Sequence, residues 1–144
     1  MPARPGPLAL AAVAIVVAAT GAASAASPTS VPLDTETTVG GVPVACTGVG
    51  ESKLNPHWNS YPVRVEFSGA DNGLLADEAL TIFDDAGAEV VSVACAGPWI
   101  LLKLPPGSYR IEGRLPKTQA MPQSGYFRVT PDGPVHLELR FPDA

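Results

Sequence analysis

The sequence predicts an all-β fold, a two-sheet β-sandwich of seven strands, and three observations support this class. Apolar and polar residues alternate with a period of two in several segments, which is typical of strands with one buried face. Turn-forming residues recur about every 8–12 positions, and 14 glycines and 16 prolines are present in 144 residues. Beyond the N-terminal apolar run, the sequence contains no amphipathic helical pattern of useful length.

Residues 1–25 have the pattern of a secretory signal peptide. Arg4 precedes an uncharged apolar run, Leu8 to Ala19, which is shorter than the roughly 20 residues that a bilayer span requires. Ala23-Ser24-Ala25 has the small-x-small form that signal peptidase cleaves, so we expect cleavage near Ala25 or Ala26. An uncleaved anchor is the alternative. Export predicts a periplasmic or secreted protein with no stable membrane span after cleavage.

The rest of the chain divides into a leader and one domain. Residues 26–38 are polar, contain two prolines and show no periodicity, so we expect a flexible leader. Residues 39–144 form the β-sandwich domain, which is long enough to bury one core. Its first segment, Val39–Cys46, is apolar but interrupted by glycine and proline, which is typical of an edge strand.

The strand pattern then recurs through the domain as far as Phe141. In the first of these strands, Val63, Val65 and Phe67 share one face, as expected for a half-buried strand. A later one is almost wholly apolar, which favours a central strand or a strand beside the core. In order, the segments counted as the seven strands, in addition to the edge segment Val39–Cys46, are Tyr61–Ser68, Ala79–Phe83, Glu89–Cys95, Trp99–Leu104, Tyr109–Leu115, Tyr126–Thr130 and Val135–Phe141.

The stretch GPWILLKLPPGSY, residues 97–109, carries a family resemblance. An apolar strand, then Leu-Pro-Pro-Gly-x-Tyr, then an alternating strand resembles the carboxypeptidase regulatory-like domains. The upstream ALTIFDDAGAEV fits the same pattern, and the resemblance covers roughly Pro62 to Phe141. GVPVACTGVGE is similar to segments of small exported bacterial proteins that carry such a domain alone. The resemblance implies a Greek-key sandwich of the transthyretin, or prealbumin-like, type.

The turn within this motif also has a physical explanation that does not depend on the family. Pro105 and Pro106 restrict φ, and Gly107 permits a sharp reversal of the chain. We expect Tyr109 to pack its ring on the core while its hydroxyl caps a backbone group of the loop.

Two cysteines, Cys46 and Cys95, are predicted to form a disulfide bond. In an exported protein, a pair of cysteines more often forms a disulfide than a metal site. Each follows apolar strand residues and precedes a turn that contains glycine, so the two could meet at one end of the sandwich. Two buried free thiols are the alternative.

The sequence predicts neither an enzyme nor a cofactor or metal site. No serine lies in a Gly-x-Ser-x-Gly elbow, and neither His57 in a loop nor His136 on the outward face of the last strand has an identifiable catalytic partner. Transthyretin-like hydrolases need several converging histidines and arginines, which this chain does not supply. Asp84, Asp85 and Glu89 could bind calcium, but three carboxylates at a hairpin more often form a solvated acidic tip.

The predicted function is contact with a partner through a loop. A formal net charge of −5 argues against a nucleic-acid ligand. The longest loop, Thr47–Ser60, carries His57 and Trp58 among amide side chains, a composition typical of sugar or peptide contact. The alternative is that Trp58 caps the open end of the core, and Trp99 is assigned to the core because its strand is apolar.

These features together favour a non-enzymatic exported accessory or interaction module of the cell envelope. Its expected partner is another envelope or extracellular protein, or a glycan. The main alternative is a small-ligand domain for carbohydrate or peptide, and a minimal hydrolase is a third hypothesis.

Overall fold

Two five-stranded β-sheets with an apolar core between them make up the computed structural model, which describes residue 3 and residues 27–144. The all-β class is confirmed and the paired sheets are consistent with a sandwich, but the described residues contain ten strands rather than seven. The predicted signal peptide, residues 1–25, lies outside the described residues except for residue 3. In the described part, no helix is long and apolar enough to cross a membrane. The strands are β1 (Thr29–Val31), β2 (Thr35–Val39), β3 (Val42–Thr47), β4 (Val63–Ser68), β5 (Glu78–Asp84), β6 (Glu89–Cys95), β7 (Trp99–Leu102), β8 (Gly107–Arg114), β9 (Gln123–Val129) and β10 (Val135–Arg140), and two short 3₁₀ helices, Gly50–Leu54 and Pro56–Ser60, lie between β3 and β4.

The strand order shows how the chain is shared between the sheets. The first sheet has the order β1-β6-β5-β8-β9, and the second has the order β10-β4-β7-β3-β2. β1 pairs with β6 and β10 pairs with β4 in parallel, whereas the other named pairs are antiparallel. The strands nearest the two ends of the described chain therefore each form one edge of a sheet.

Strand β4 illustrates how the two-residue period builds the core. Val63, Val65 and Phe67 are fully buried between the sheets, as predicted. Arg64 and Glu66, the alternate residues, are half-buried on the outer face of the second sheet. Burial of each such apolar side chain stabilises the fold by roughly 1.5–3 kcal/mol, so the alternation itself favours this register over a one-residue shift.

The segment predicted as a flexible leader contributes two strands, β1 and β2, and we call residues 29–39 the N-terminal strap. Val31 of β1 lies in register beside Cys95 in the first sheet. Thr35 of β2 lies in register beside Cys46 in the second sheet. The sequence had predicted a flexible leader here, because the segment is polar and shows no periodicity. Strand pairing, however, uses main-chain N–H and C=O groups, which a polar segment also possesses.

The crossing of the strap from one sheet to the other is held by Asp34. Its backbone N–H donates to the carbonyl of Cys46 at 2.7 Å, and its Oδ1 accepts from the hydroxyl of Thr47 at 2.7 Å. Since β2 then pairs along β3, the Val39–Cys46 segment supplies an interior strand of the second sheet and not the predicted edge strand.

Tyr109 fixes the turn that the Pro-Pro-Gly motif begins. Its hydroxyl donates to the carbonyl of Pro105 at 2.6 Å, and its ring stacks on Phe127 with centroids 5.5 Å apart. Burial raises the pKa of the Tyr109 hydroxyl. Both expected roles of this residue, core packing and capping of the loop, are confirmed.

Cys46 and Cys95 form the predicted disulfide, which joins the two sheets. Their sulfur atoms are 1.97 Å apart and their Cα atoms 5.6 Å apart. Cys46 lies on β3 of the second sheet and Cys95 on β6 of the first, and both are buried. The alternative of two free thiols is therefore wrong.

We expect the double variant Cys46→Ala/Cys95→Ala to be less stable than the wild type. The disulfide spans a sequence separation of 49 residues, and closing a loop of that size restricts the unfolded chain by about 4 kcal/mol. Urea unfolding of oxidised wild type, reduced wild type and the variant measures this difference, and the last two should agree. Two reactive thiols in denatured, unreduced wild type would contradict the bond.

The carboxyl group of Glu78 is buried next to the disulfide. The residue begins β5, is 1 % exposed, and pairs in register with Cys95. Neither of its carboxyl oxygens has a hydrogen-bond partner in the described residues. Burial, with a further contribution from the charge of Asp77, raises the pKa of Glu78 to about 9. The folded protein therefore holds this group in its neutral form at pH 7.

We expect the wild type to become less stable as the pH rises, and we expect Glu78→Gln to lose less stability over the same pH range. The ordinary pKa of the group is 4.5 and its folded value is about 9, so between these values the folded protein keeps a proton that the unfolded chain releases. The free energy of unfolding then falls with rising pH by up to about 1.4 kcal/mol per pH unit. Urea unfolding at about pH 5 and about pH 9 measures the effect.

The exposed carboxyl of Glu89 provides the matched control for this experiment. Glu89→Gln should retain the wild-type dependence of stability on pH, whereas Glu78→Gln should show a smaller one. Equal losses in the wild type and in Glu78→Gln would mean that burial does not perturb Glu78.

Candidate functional site

The predicted contact residues His57 and Trp58 lie on a helical loop (residues 50–60) between β3 and β4. Asn55 caps its second 3₁₀ turn, because the Asn55 side-chain oxygen accepts from the backbone N–H of His57 at 3.0 Å. Pro56 begins that turn, where its missing N–H costs no helical hydrogen bond. The local sequence Asn-Pro thus sets the position from which both side chains extend.

Glu36 of the N-terminal strap ties the helical loop to the second sheet. Its Oε1 accepts from the hydroxyl of Tyr61 and lies 2.7 Å from Nε2 of His57. The hydrogen bonds from Tyr61 and His57 hold the pKa of Glu36 below its ordinary value. Burial and the neighbouring carboxylate raise the pKa of Tyr61. His57 is exposed but already engaged by a charged partner within the chain.

Trp58 covers a small apolar cluster on the outer face of the second sheet. The cluster contains Ala45, Tyr61 and Leu101. The indole N–H of Trp58 donates to the carbonyl of Ser52 at 2.8 Å, so the ring is held from two sides. This cluster is separate from the main core, so Trp58 lies on the outer face of a sheet and not over the open end of the core.

A cleft opens on this outer face, between the helical loop and strands β4, β7 and β10. Its volume is about 310 Å³, near the lower end of the 300–1,000 Å³ that is roughly typical of small-molecule sites. The described residues that line it include no aspartate or glutamate. We call it the aromatic cleft, and its aromatic and basic side chains are Trp58, Tyr61, Trp99, Lys53, Arg64 and His136.

Trp99 lines this cleft, so its assignment to the core is wrong. Ile100 and Leu102 point between the sheets, and the alternate residues Trp99 and Leu101 therefore lie on the outer face. Gly48 allows the indole to lie close to the chain, because a Cβ at that residue would be 2.7 Å from Cγ of Trp99. An apolar run shows no two-residue period, which is why the pattern alone did not reveal the outward face.

Arg64 covers the Trp99 ring and connects it to neighbouring polar groups. Its guanidinium carbon is 4.4 Å from the ring centroid, which is a cation–π contact. Its Nε is 3.1 Å from Oε1 of Glu66, and its Nη2 is 3.3 Å from Nδ1 of His136. The indole N–H of Trp99 is shielded from solvent and has no hydrogen-bond partner in the described residues.

The chemistry of the aromatic cleft suits binding of a polar group beside an apolar one. Aromatic faces provide contact area, and the side chains of Arg64 and Lys53 donate hydrogen bonds to carboxylate, sulfate or hydroxyl oxygens. His136 is exposed, as predicted, but it lines this cleft, where the sequence had suggested no site for it. The outward period of β4 and β10 is the signal that could have identified Arg64 and His136 together.

The acidic hairpin with Asp84, Asp85 and Glu89 was considered above as a possible calcium site. In the structure, Asp84 stabilises the turn of this hairpin. Its Oδ1 accepts from the backbone N–H groups of Ala86 and Ala88, both at 3.0 Å. This is the usual use of aspartate in a tight turn. In residues 27–144, no three or more histidine, cysteine, aspartate or glutamate side chains are grouped so that they could hold a metal ion.

Comparison of this sequence with protein-family models and with curated proteins gives no match. No protein-family model matches the chain, and no curated protein matches it. The resemblance to carboxypeptidase regulatory-like domains thus stays a prediction.

We expect Arg64→Ala to expose the Trp99 ring. In a Trp58→Phe background Trp99 is the remaining tryptophan, so acrylamide quenching of its fluorescence should increase when the guanidinium is removed. The free energy of unfolding should fall by about 1 kcal/mol, since the cation–π contact and the packing of the Arg64 stem are lost.

Arg110 supplies the matched control, because its guanidinium carbon lies 4.1 Å from the centroid of the Phe83 ring on the other sheet. Arg110→Ala should reduce stability to a similar degree but leave the quenching of Trp99 unchanged. Unchanged quenching in Arg64→Ala would show that the guanidinium does not cover the indole in solution.

Proposed function

We propose that this chain is a non-enzymatic, exported β-sandwich that acts as an accessory or interaction module of the cell envelope and contacts its partner through the aromatic cleft. The observation that carries the proposal is the convergence of three aromatic and three basic side chains in one cleft. Interfaces depend on such side chains, since tryptophan, tyrosine and arginine are enriched among the residues that contribute most binding energy.

Two further observations support the non-enzymatic and exported parts of the proposal. The two histidines do not share one site, because His136 lines the aromatic cleft and contacts Arg64, whereas His57 pairs with Glu36 and is not among the lining residues of that cleft. The buried disulfide is compatible with an oxidising compartment such as the periplasm or the cell exterior. The Tyr109-capped Pro-Pro-Gly turn supports a Greek-key, prealbumin-like arrangement of the carboxypeptidase regulatory-like kind.

The composition of the cleft favours an acidic segment of an envelope or extracellular protein as the partner. Lys53, Arg64 and His136 make the cleft locally basic, although the chain as a whole has a formal net charge of −5. An acidic side chain of the partner could take the place of Glu66 beside the Arg64 guanidinium. Apolar groups next to it in the partner would then contact the two indole rings. Local complementarity of this kind determines orientation and partner choice.

Photo-cross-linking in the cells that produce the protein tests this proposal. A photoreactive phenylalanine derivative at position 59, on the cleft wall, should form an adduct with a protein partner. The same derivative at position 128, on the exposed face of β9, should form none. Arg64→Ala should reduce the adduct at least about ten-fold, the effect of losing a contact worth about 1.4 kcal/mol or more. Equal adducts from both positions, or none from position 59, would exclude the cleft as the contact surface.

A small-ligand domain for carbohydrate or peptide is the second candidate, and the pair of indole rings in a cleft of about 310 Å³ favours it. A glycan array distinguishes it: saturable binding that Trp58→Ala abolishes, without a protein adduct, would favour this candidate. Turnover of any substrate that is lost in His57→Ala or His136→Ala would contradict a non-enzymatic role.

A further inference from the structure

A second cavity lies at the disulfide end of the sandwich, and we call it the strap cavity. Its volume is about 340 Å³, enough for a small organic molecule. It is lined by the strap, by β6 and by the segments that precede β5 and follow β8. The residues that matter for its chemistry are Val31, Pro32, Glu78, Cys95, Pro116 and Lys117.

Glu78 is the buried ionisable residue in the lining of this mainly apolar cavity, whereas Asp77 and Lys117 lie at its rim. The residue is 1 % exposed, and neither carboxyl oxygen has a partner in the described residues. Its strand neighbours on the same face, Leu80 and Ile82, fill the core, so Glu78 lies on the inner face of the first sheet. Both carboxyl oxygens are shielded from solvent, so a ligand reaches them only when the side chain turns toward the cavity. A buried carboxyl without hydrogen bonds is unfavourable, and a bound group that donates to both oxygens would relieve it.

The charged groups around Glu78 leave it available for a ligand. Asp77, the residue before it, pairs with Lys117, whose Nζ lies 3.3 Å from Oδ1 of Asp77. Both are largely in solvent, with side chains 75 % exposed for Lys117 and 46 % exposed for Asp77. The lining residues of the strap and of β6 carry no charge. Lys117 thus offsets Asp77 at the rim, and a cation would be matched by Glu78 inside.

We propose that the strap cavity binds a small alkylguanidinium cation, whose head group pairs with the carboxylate of Glu78 and whose alkyl chain contacts Val31 and Pro32. A guanidinium donates two parallel N–H groups, one to each carboxylate oxygen, which is the arrangement that the two unpartnered oxygens require. The step is an acid dissociation and an ion pairing: the Glu78 carboxyl releases its proton to solvent, and no bond between heavy atoms forms or breaks.

This mechanism couples ligand binding to proton release. Burial raises the pKa of Glu78 to about 9, so the free protein holds the proton at neutral pH. The pairing with a cation favours the charged form of the carboxyl. Affinity for the guanidinium should consequently increase as the pH rises toward the folded pKa, since less work is then needed to remove the proton.

Isothermal titration of the exported, disulfide-bonded protein with butylguanidinium tests the proposal. In two buffers of different protonation enthalpy at pH 7, we expect saturable one-site binding with release of a proton. Glu78→Gln should weaken binding at least about ten-fold and abolish the release. Glu89→Gln, which changes an exposed carboxyl on β6, should behave as the wild type.

Butylurea provides the matched ligand control, because it keeps the shape and one parallel pair of N–H donors, whereas a carbonyl oxygen replaces the third nitrogen and the charge is absent. Binding of butylurea as tight as that of butylguanidinium, or guanidinium binding without proton release, would overturn the cationic assignment. Methyl resonances of Val31 should shift during the guanidinium titration, and this readout needs no variant. Absence of both saturable binding and such shifts at millimolar ligand would overturn the proposal, even if Glu78→Gln failed to fold.

Discussion

The disulfide between Cys46 and Cys95 is the constraint on which the rest of the structure depends, because it fixes one end of both sheets. β3 and β6 each contribute one cysteine, and the strap crosses between the sheets beside the bond, with Val31 next to Cys95 and Thr35 next to Cys46. The strap adds one strand to each sheet in this way. Both candidate sites follow from that junction: β1 lines the strap cavity, and Glu36 of β2 anchors the loop that forms one wall of the aromatic cleft.

The two sites use opposite electrostatic arrangements. The aromatic cleft keeps its basic groups near the surface, where Arg64 is shared between an indole face, a carboxylate and an imidazole, so its charge remains partly solvated. The strap cavity instead buries one carboxyl, Glu78, which is protonated at pH 7 because burial, together with the charge of Asp77, raises its pKa to about 9. The net charge of the chain predicts the local charge of neither site. The formal net charge is −5, yet one sheet carries a basic cleft and a protonated carboxyl lies beside the disulfide.

Part of the candidate site was predictable from composition and period. His57 and Trp58 were both predicted from the aromatic pair among amides in a long loop, but of the two Trp58 lines the aromatic cleft and His57 does not. The alternation of β4 placed Arg64 on the outer face. Trp99 was missed, since a continuous apolar run hides which residues point outward. Glu78 was missed because a single glutamate before an apolar strand resembles an exposed strand end, and its burial depends on residues distant in sequence, such as those of the strap.

The sequence by itself determined the all-β class, the alternating faces of β4, the cysteine pairing and the turn that Tyr109 caps. Each is a local pattern, or depends on a residue type that the chain contains only twice, so its physical cause can be read without knowing the neighbours. Only the tertiary structure decided that the polar strap pairs with both sheets and that β3 lies inside one of them. Main-chain hydrogen bonds make that pairing, and they leave no pattern in the side chains of the sequence. The register of the paired strands then decides which side chains come together at each of the two sites.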